Sequence, residues 1–126
     1  MLDTEHFVER RKMVRLCITC SVEFSRKKLP DIRYKVLTRD ISGGGVQIHH
    51  SIPDLEKGED VVLKLFLPQH TVPIEAEGMV IWKRQVCYGE EGASGRHCFD
   101  SGIKFVDIDE KSLTRIFRYI YEIGLH

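Results

Sequence analysis

The sequence predicts a mainly β chain: a six- or seven-stranded antiparallel β-barrel followed by one C-terminal amphipathic α-helix. Three observations carry this expectation. Apolar and polar residues alternate in several short stretches between Arg15 and Phe105, which is the period of half-buried strands. Glycine and proline punctuate those stretches at short intervals. The period lengthens to helical spacing only after Phe105. Short strands without intervening helices, then one helix, fit a barrel that the helix closes or covers.

Residues 1–9 show no sustained period and read as a mobile leader, so the expected organisation is that leader and a single domain over 10–126. From Arg15 the alternation is strict, with Leu16, Ile18, Cys20, Val22 and Phe24 on one face and Cys17, Thr19, Ser21 and Glu23 on the other. Ser25 to Arg33, which contains Pro30, reads as a polar connection. A second strand is expected over about Tyr34 to Ile41, and a glycine cluster turns the chain into a third at about Val46 to His49.

Ser51 to Gly58 reads as a loop with one helical turn. The dense apolar run Val61 to Leu67 reads as a central strand that Pro68 ends. In the long strand that follows Pro73, alternation puts Ile74, Ala76, Gly78, Val80 and Trp82 on one face, with Glu75 and Glu77 on the other. Tyr88 to Arg96, rich in glycine and glutamate, is a solvated hairpin loop. Phe99, Ser101, Ile103 and Phe105 alternate in a last strand. Leu113, Ile116, Phe117, Ile120 and Ile123 then form the helix's apolar face, with Lys111, Arg115, Arg118 and Glu122 outward. Asp107 and Glu110 have capping-box spacing at its start.

Acids and bases cancel at 19 each, so no global field draws the chain to nucleic acid or a membrane, and anion binding has to be local. No apolar run reaches the length of a membrane span and no secretory signal stands at the N-terminus, so cytoplasmic location without membrane insertion is expected. Cys17 and Cys20 have a metal-like spacing. On a strand, however, residues three apart face opposite ways, so Cys20 is assigned to the core and Cys17 to the surface. Cys87 and Cys98 flank the hairpin loop and are expected to be reduced. His49, His50 and His97 have no carboxylate at useful spacing, and no nucleophile–base pair or metal set is visible, so no enzyme is expected. Trp82 reads as core.

Two short elements carry the chemistry. Arg10-Arg11-Lys12-Met13-Val14-Arg15 brings guanidinium groups to the start of the first strand, and Asp40-Ile41-Ser42-Gly43-Gly44-Gly45 sets a carboxylate, a hydroxyl and three glycines at a turn. Guanidinium groups form two-pronged bonds to phosphate oxygens and to the O6/N7 edge of guanine. A carboxylate accepts from guanine's N–H edge, and glycine lets a ligand approach the backbone. Together they suggest a receptor for a compact anionic guanine nucleotide.

This order of motifs resembles the PilZ domain, the bacterial receptor module for cyclic di-GMP. Arg11 to Arg15 matches that family's R-x-x-x-R and Asp40 to Gly45 its D/N-x-S-x-x-G. Gly78 to Trp82 is similar to its long strand and Gly102 to Phe105 to its final one. The likeness covers about Arg10 to Tyr121 and is to the stand-alone members. It implies a barrel with a C-terminal helix that binds cyclic di-GMP and needs no cofactor.

It also implies that Arg11 and Arg15 clamp phosphate and guanine, that Asp40 and Ser42 bond a guanine edge and nearby phosphate, and that Gly45 allows close approach. Gly43 and Gly44 hold variable positions that shape the turn, Gly44 within the site, and the resemblance leaves room for Trp82, read above as core, at the rim of the site. Arg10, just before R-x-x-x-R, implies two ligand molecules per chain. Ligand would order the leader, and an effector protein would read the new surface. The alternative is a ligand-independent adaptor for a motility or secretion component. A third reading, single-stranded nucleic-acid binding, would need a basic groove interleaved with exposed aromatics. Zero net charge argues against it.

Overall fold

The computed structural model describes residues 14–86 and 98–124. It contains seven strands: β1 (Arg15–Leu16), β2 (Ser21–Arg26), β3 (Leu29–Ser42), β4 (Gly45–His50), β5 (Asp60–Phe66), β6 (Ile74–Val86) and β7 (Cys98–Ile108). One helix follows, α1 (Glu110–Gly124). The sheet order is β1-β3-β2-β5-β6-β7-β4, every pair antiparallel, and a further β3–β4 pairing closes six strands into a barrel. β1 is an extra strand on β3. The expected fold class is borne out.

The barrel interior holds Val22, Phe24, Ile41, Ile48, Val61, Leu63, Ile74, Val80 and Ile103, all 5 % exposed or less. Ile116, Tyr119 and Ile120 of α1 join this core, so the helix buries its apolar face against the barrel. Ile123, expected on that face, is exposed. The helix starts from Asp109 and not from Asp107, which still pairs with Glu77 in the sheet. The Asp109 carboxylate accepts from the Ser112 N–H at 2.7 Å and holds that carboxyl below its usual range.

The first expected strand is two strands. Its alternation holds, but the ladder breaks between Leu16 and Ser21. Thr38 staples the break: its hydroxyl donates to the Ile18 carbonyl at 2.6 Å and accepts from the Cys20 N–H at 2.8 Å. Cys20 is in the core and Cys17 is exposed.

The expected connection over Ser25–Arg33 is instead a hairpin, with only Lys27 and Lys28 at its tip. Arg26, one of a run of three basic residues, is fully buried. Its guanidinium donates twice to Glu59 (2.6 and 2.8 Å), to the Asp54 carboxylate and to the Asp54 carbonyl (both 2.9 Å). The loop over 51–58 has turns without a helical turn, and Gly58 takes a positive φ of 94° there. The expected hairpin loop over 88–96 lies outside the described residues.

Candidate functional site

Residues paired across antiparallel strands point to the same side of the sheet, so the register maps the barrel's outer wall. One row runs Asp40 (β3), Gln47 (β4), Gly102 (β7) and Trp82 (β6). The next runs Arg15 (β1), Ser42 (β3), Gly45 (β4) and Lys104 (β7). All eight, with Gly44 and Ile81, line one open cleft of about 410 Å³, a size usual for small-molecule sites.

Two bulges give the rows their composition. Thr38 pairs with Ile48 but Asp40 with Gln47, so Arg39 is an extra residue in β3. Inward Tyr34, Val36 and Thr38 are therefore followed by outward Asp40 and Ser42, with Ile41 in the core. Val80 pairs with Ile103 but Trp82 with Gly102, so Ile81 is extra in β6. That reverses the expected side of Trp82: it leaves the apolar face of Ile74, Ala76 and Val80 and lies half-exposed in the cleft. Bulges commonly re-aim side chains in this way beside binding sites.

Of the seven residues expected at the site, Arg15, Asp40, Ser42, Gly44 and Gly45 come together here. Arg10 and Arg11 lie outside the described residues. Asp40 is half-buried; burial raises its pKa above the ordinary value, and the Arg15 charge opposes that rise. The Ser42 hydroxyl accepts from the Gly44 and Gly45 N–H groups, both at 3.2 Å, and donates to the Gly45 carbonyl at 3.3 Å. It therefore holds the turn's shape. Gly45 is buried, and a Cβ there would run into the Ile103 carbonyl of β7. Glycine at this position lets β4 and β7 meet.

The sequence reading missed Gln47, Ile81, Gly102 and Lys104. Gln47 stands two residues after Gly45, so period two alone puts it on the same face. The other three are brought in by cross-strand register. A Cβ at Gly102 would strike the Trp82 indole, so the missing side chain makes room for that ring. Among the described residues the charged members of the cleft are Arg15, Lys104 and Asp40, a local positive excess within a neutral chain.

The histidines are better partnered than their spacing suggested. His49 Nδ1 lies 2.8 Å from Asp100 Oδ1, a carboxylate supplied by β7. The Ile52 N–H donates to His50 Nδ1 at 3.1 Å, which leaves His50 Nε2 to donate to the Ser101 hydroxyl at 2.7 Å. That direction makes His50 a neutral structural bridge. Among the described residues no group of three or more His, Cys, Asp or Glu side chains could hold a metal ion, and no helix is long and apolar enough to cross a membrane.

Comparison with known proteins adds the following. A family model described as the PilZ domain matches residues 9–122. No curated protein matches the chain. The structure is similar to that of the PilZ domain with c-di-GMP of YcgR from Escherichia coli, with a TM-score of 0.71 and 12 % identity over 91 % of this chain and 92 % of that one. It is similar to K. pneumonia MrkH, with a TM-score of 0.74 and 17 % identity over 90 % of this chain and 49 % of that one. It is also similar to the Bacillus subtilis inhibitor of motility MotI/DgrA, with a TM-score of 0.68 and 22 % identity over 92 % of this chain and 51 % of that one. The chain thus spans about half the length of MrkH and of MotI.

Proposed function

Because the chain belongs to the PilZ family, whose model spans residues 9–122, we propose that its cleft receives cyclic di-GMP and that the chain acts as a receptor and effector for that second messenger. The observation that carries this reading is the convergence of Arg15, Asp40, Ser42, Gly44 and Gly45 on one concave, locally cationic surface. Arg15 supplies a two-pronged donor for phosphate or for the O6/N7 edge of guanine. Asp40, partly desolvated beside it, accepts from the guanine N–H edge. The Ser42 hydroxyl fixes the glycine turn so that its backbone meets the ligand at close range. Trp82 lends the cleft an apolar wall.

Arg10 and Arg11 immediately precede this surface in the chain and complete the anion clamp when ligand arrives. The event is a switch and no bond is made or broken. Ligand gathers the N-terminal leader and its arginines onto the barrel wall, and a protein partner recognises the surface so formed. Ordering that segment lowers net affinity and makes occupancy readable as a change of shape.

A calorimetric titration with cyclic di-GMP tests the reading. Arg11→Ala or Arg15→Ala removes a charge-assisted contact of about 1.5–3 kcal/mol, so each weakens binding roughly ten- to a hundredfold. The parent saturates at two ligands per chain, because the Arg10 guanidinium offsets repulsion between two stacked anions; Arg10→Leu saturates at one. Full-strength binding by Arg15→Ala would show that the cleft is not the site. Absence of binding in the parent would leave the ligand-independent adaptor.

A further inference from the structure

Below the cleft, the next row of the outer wall is His49 (β4), Asp100 (β7) and Arg84 (β6). Asp100 belongs to the outward set with Gly102 and Lys104, yet its side chain is only 3 % exposed. Other side chains close over it. His49 Nδ1 stands 2.8 Å and Arg39 Nε 3.5 Å from Oδ1, and an Arg84 terminal nitrogen stands 3.6 Å from Oδ2. Arg39 is the bulge residue next to Asp40. Arg84 lies with its guanidinium carbon 5.7 Å from the Trp82 ring centre, and that ring rests on Gly102 in the cleft. One buried carboxylate therefore touches a side chain beside each rim of the cleft.

We propose that Asp100 is a positioning residue for the cleft: it anchors Arg84, Arg84 holds the Trp82 indole against Gly102, and the ring is thereby preset as a fixed side wall of the cleft. An aromatic ring on an open barrel wall samples several rotamers. The guanidinium on one side and Gly102 on the other restrict it to one, which leaves the indole edge facing the ligand. The Asp100 carboxylate keeps its charge for this task. Burial works against ionisation, but the His49 bond and the Arg39 charge outweigh it and hold the carboxyl below its usual range. Arg84 alone, 66 % exposed along its side chain, has no other feature fixing it over the ring among its described contacts. Geometry thus makes Asp100 the anchor and Arg84 the arm.

The chain contains a single tryptophan, so emission excited beyond the tyrosine absorption band reports Trp82 alone. The test compares the parent with Asp100→Asn, Arg84→Gln and the double variant, by acrylamide quenching without ligand and by cyclic di-GMP titration. Each single variant is expected to raise quenching of Trp82 and shift its emission to the red. The double variant does no more, since both changes cut one tether. Arg84 is at the surface, so Arg84→Gln leaves the melting temperature unchanged and reads the tether even if Asp100→Asn fails to fold. Ligand affinity falls about three- to fivefold, the loss expected for an exposed charge contact. Unchanged quenching in folded Arg84→Gln overturns the proposal. The affinity arm rests on the cyclic di-GMP reading whereas the quenching arm does not, so failure of the parent to bind ligand condemns that reading and leaves the tether to be judged by emission alone.

Discussion

At Asp40 a negative charge sits where an anion is proposed to bind, and the sign of its contribution separates two kinds of site. If the cleft were only an anion patch, Asp40→Ala would remove repulsion and tighten binding. If the carboxylate reads the guanine edge, its loss leaves buried donors without an acceptor, at about 1–3 kcal/mol. We expect Asp40→Ala to bind cyclic di-GMP about fivefold more weakly or worse, and tighter binding in the same titration would remove base readout from the site. His50 sets a second expectation. Burial, then the Lys83 and His49 charges, push its pKa down from 6.5 to about 4, with Asp100 pulling the other way. Above pH 6.5 both folded and unfolded chains hold it neutral and its contribution is complete. As pH falls towards 4 the unfolded chain takes a proton that the fold refuses, so stability drops by about 3 kcal/mol. Urea unfolding of the parent should therefore lose that much more between pH 7 and 4 than His50→Gln does. Equal losses would show that His50 is not the acid-sensitive group. Arg15, Asp40 and Ser42 were legible in the sequence because each lies in a short motif whose chemistry is local. Lys104 and Gly102 were not, because only pairing across β4 and β7 brings residues more than fifty positions apart into one row.

Among the elements, alternation predicted the strands well and failed where a strand carries an extra residue. Ile81 turned Trp82 from core to cleft, and Arg39 turned β3 so that Asp40 and Ser42 face out. A bulge has no signature in the order of polar and apolar residues, because it becomes visible only against a partner strand. The β2–β3 hairpin was missed for another reason. Arg26 reads as solvent-facing among Lys27 and Lys28, and the Glu59 and Asp54 groups that neutralise it lie some thirty residues downstream. The two cleft glycines allow a comparison at this scale. A methyl at Gly45 meets the Ile103 carbonyl, which is backbone, so β4 and β7 must separate; a methyl at Gly102 meets the Trp82 ring, which can swing aside. Gly45→Ala should thus lower the unfolding free energy by about 2 kcal/mol, and Gly102→Ala by clearly less. Denaturant melts of the two variants check the order, and a reversed order would mean that β4 and β7 yield more easily than the indole.

For the molecule as a whole, the closing of the barrel also sets when its cleft can exist. The rows of the cleft cross the seams β3–β4, β4–β7 and β6–β7, and so join Arg15 at one end of the described chain to Lys104 near the other. Hairpins such as β2–β3 and β5–β6 can form early from neighbours in sequence. The β4–β7 seam must bring together residues such as His50 and Phe99, which β5 and β6 separate in the chain, the kind of non-local contact that slows folding into the millisecond-to-second range. The binding surface is consequently among the last features to appear as the chain folds and among the first to vanish as it opens. In a refolding experiment, competence for cyclic di-GMP should return with the slowest phase, well after most secondary structure is regained. Binding in an earlier phase would show that one hairpin suffices as the receptor. A nascent or partly unfolded copy would then be deaf to the messenger, and only chains that have finished folding would answer it.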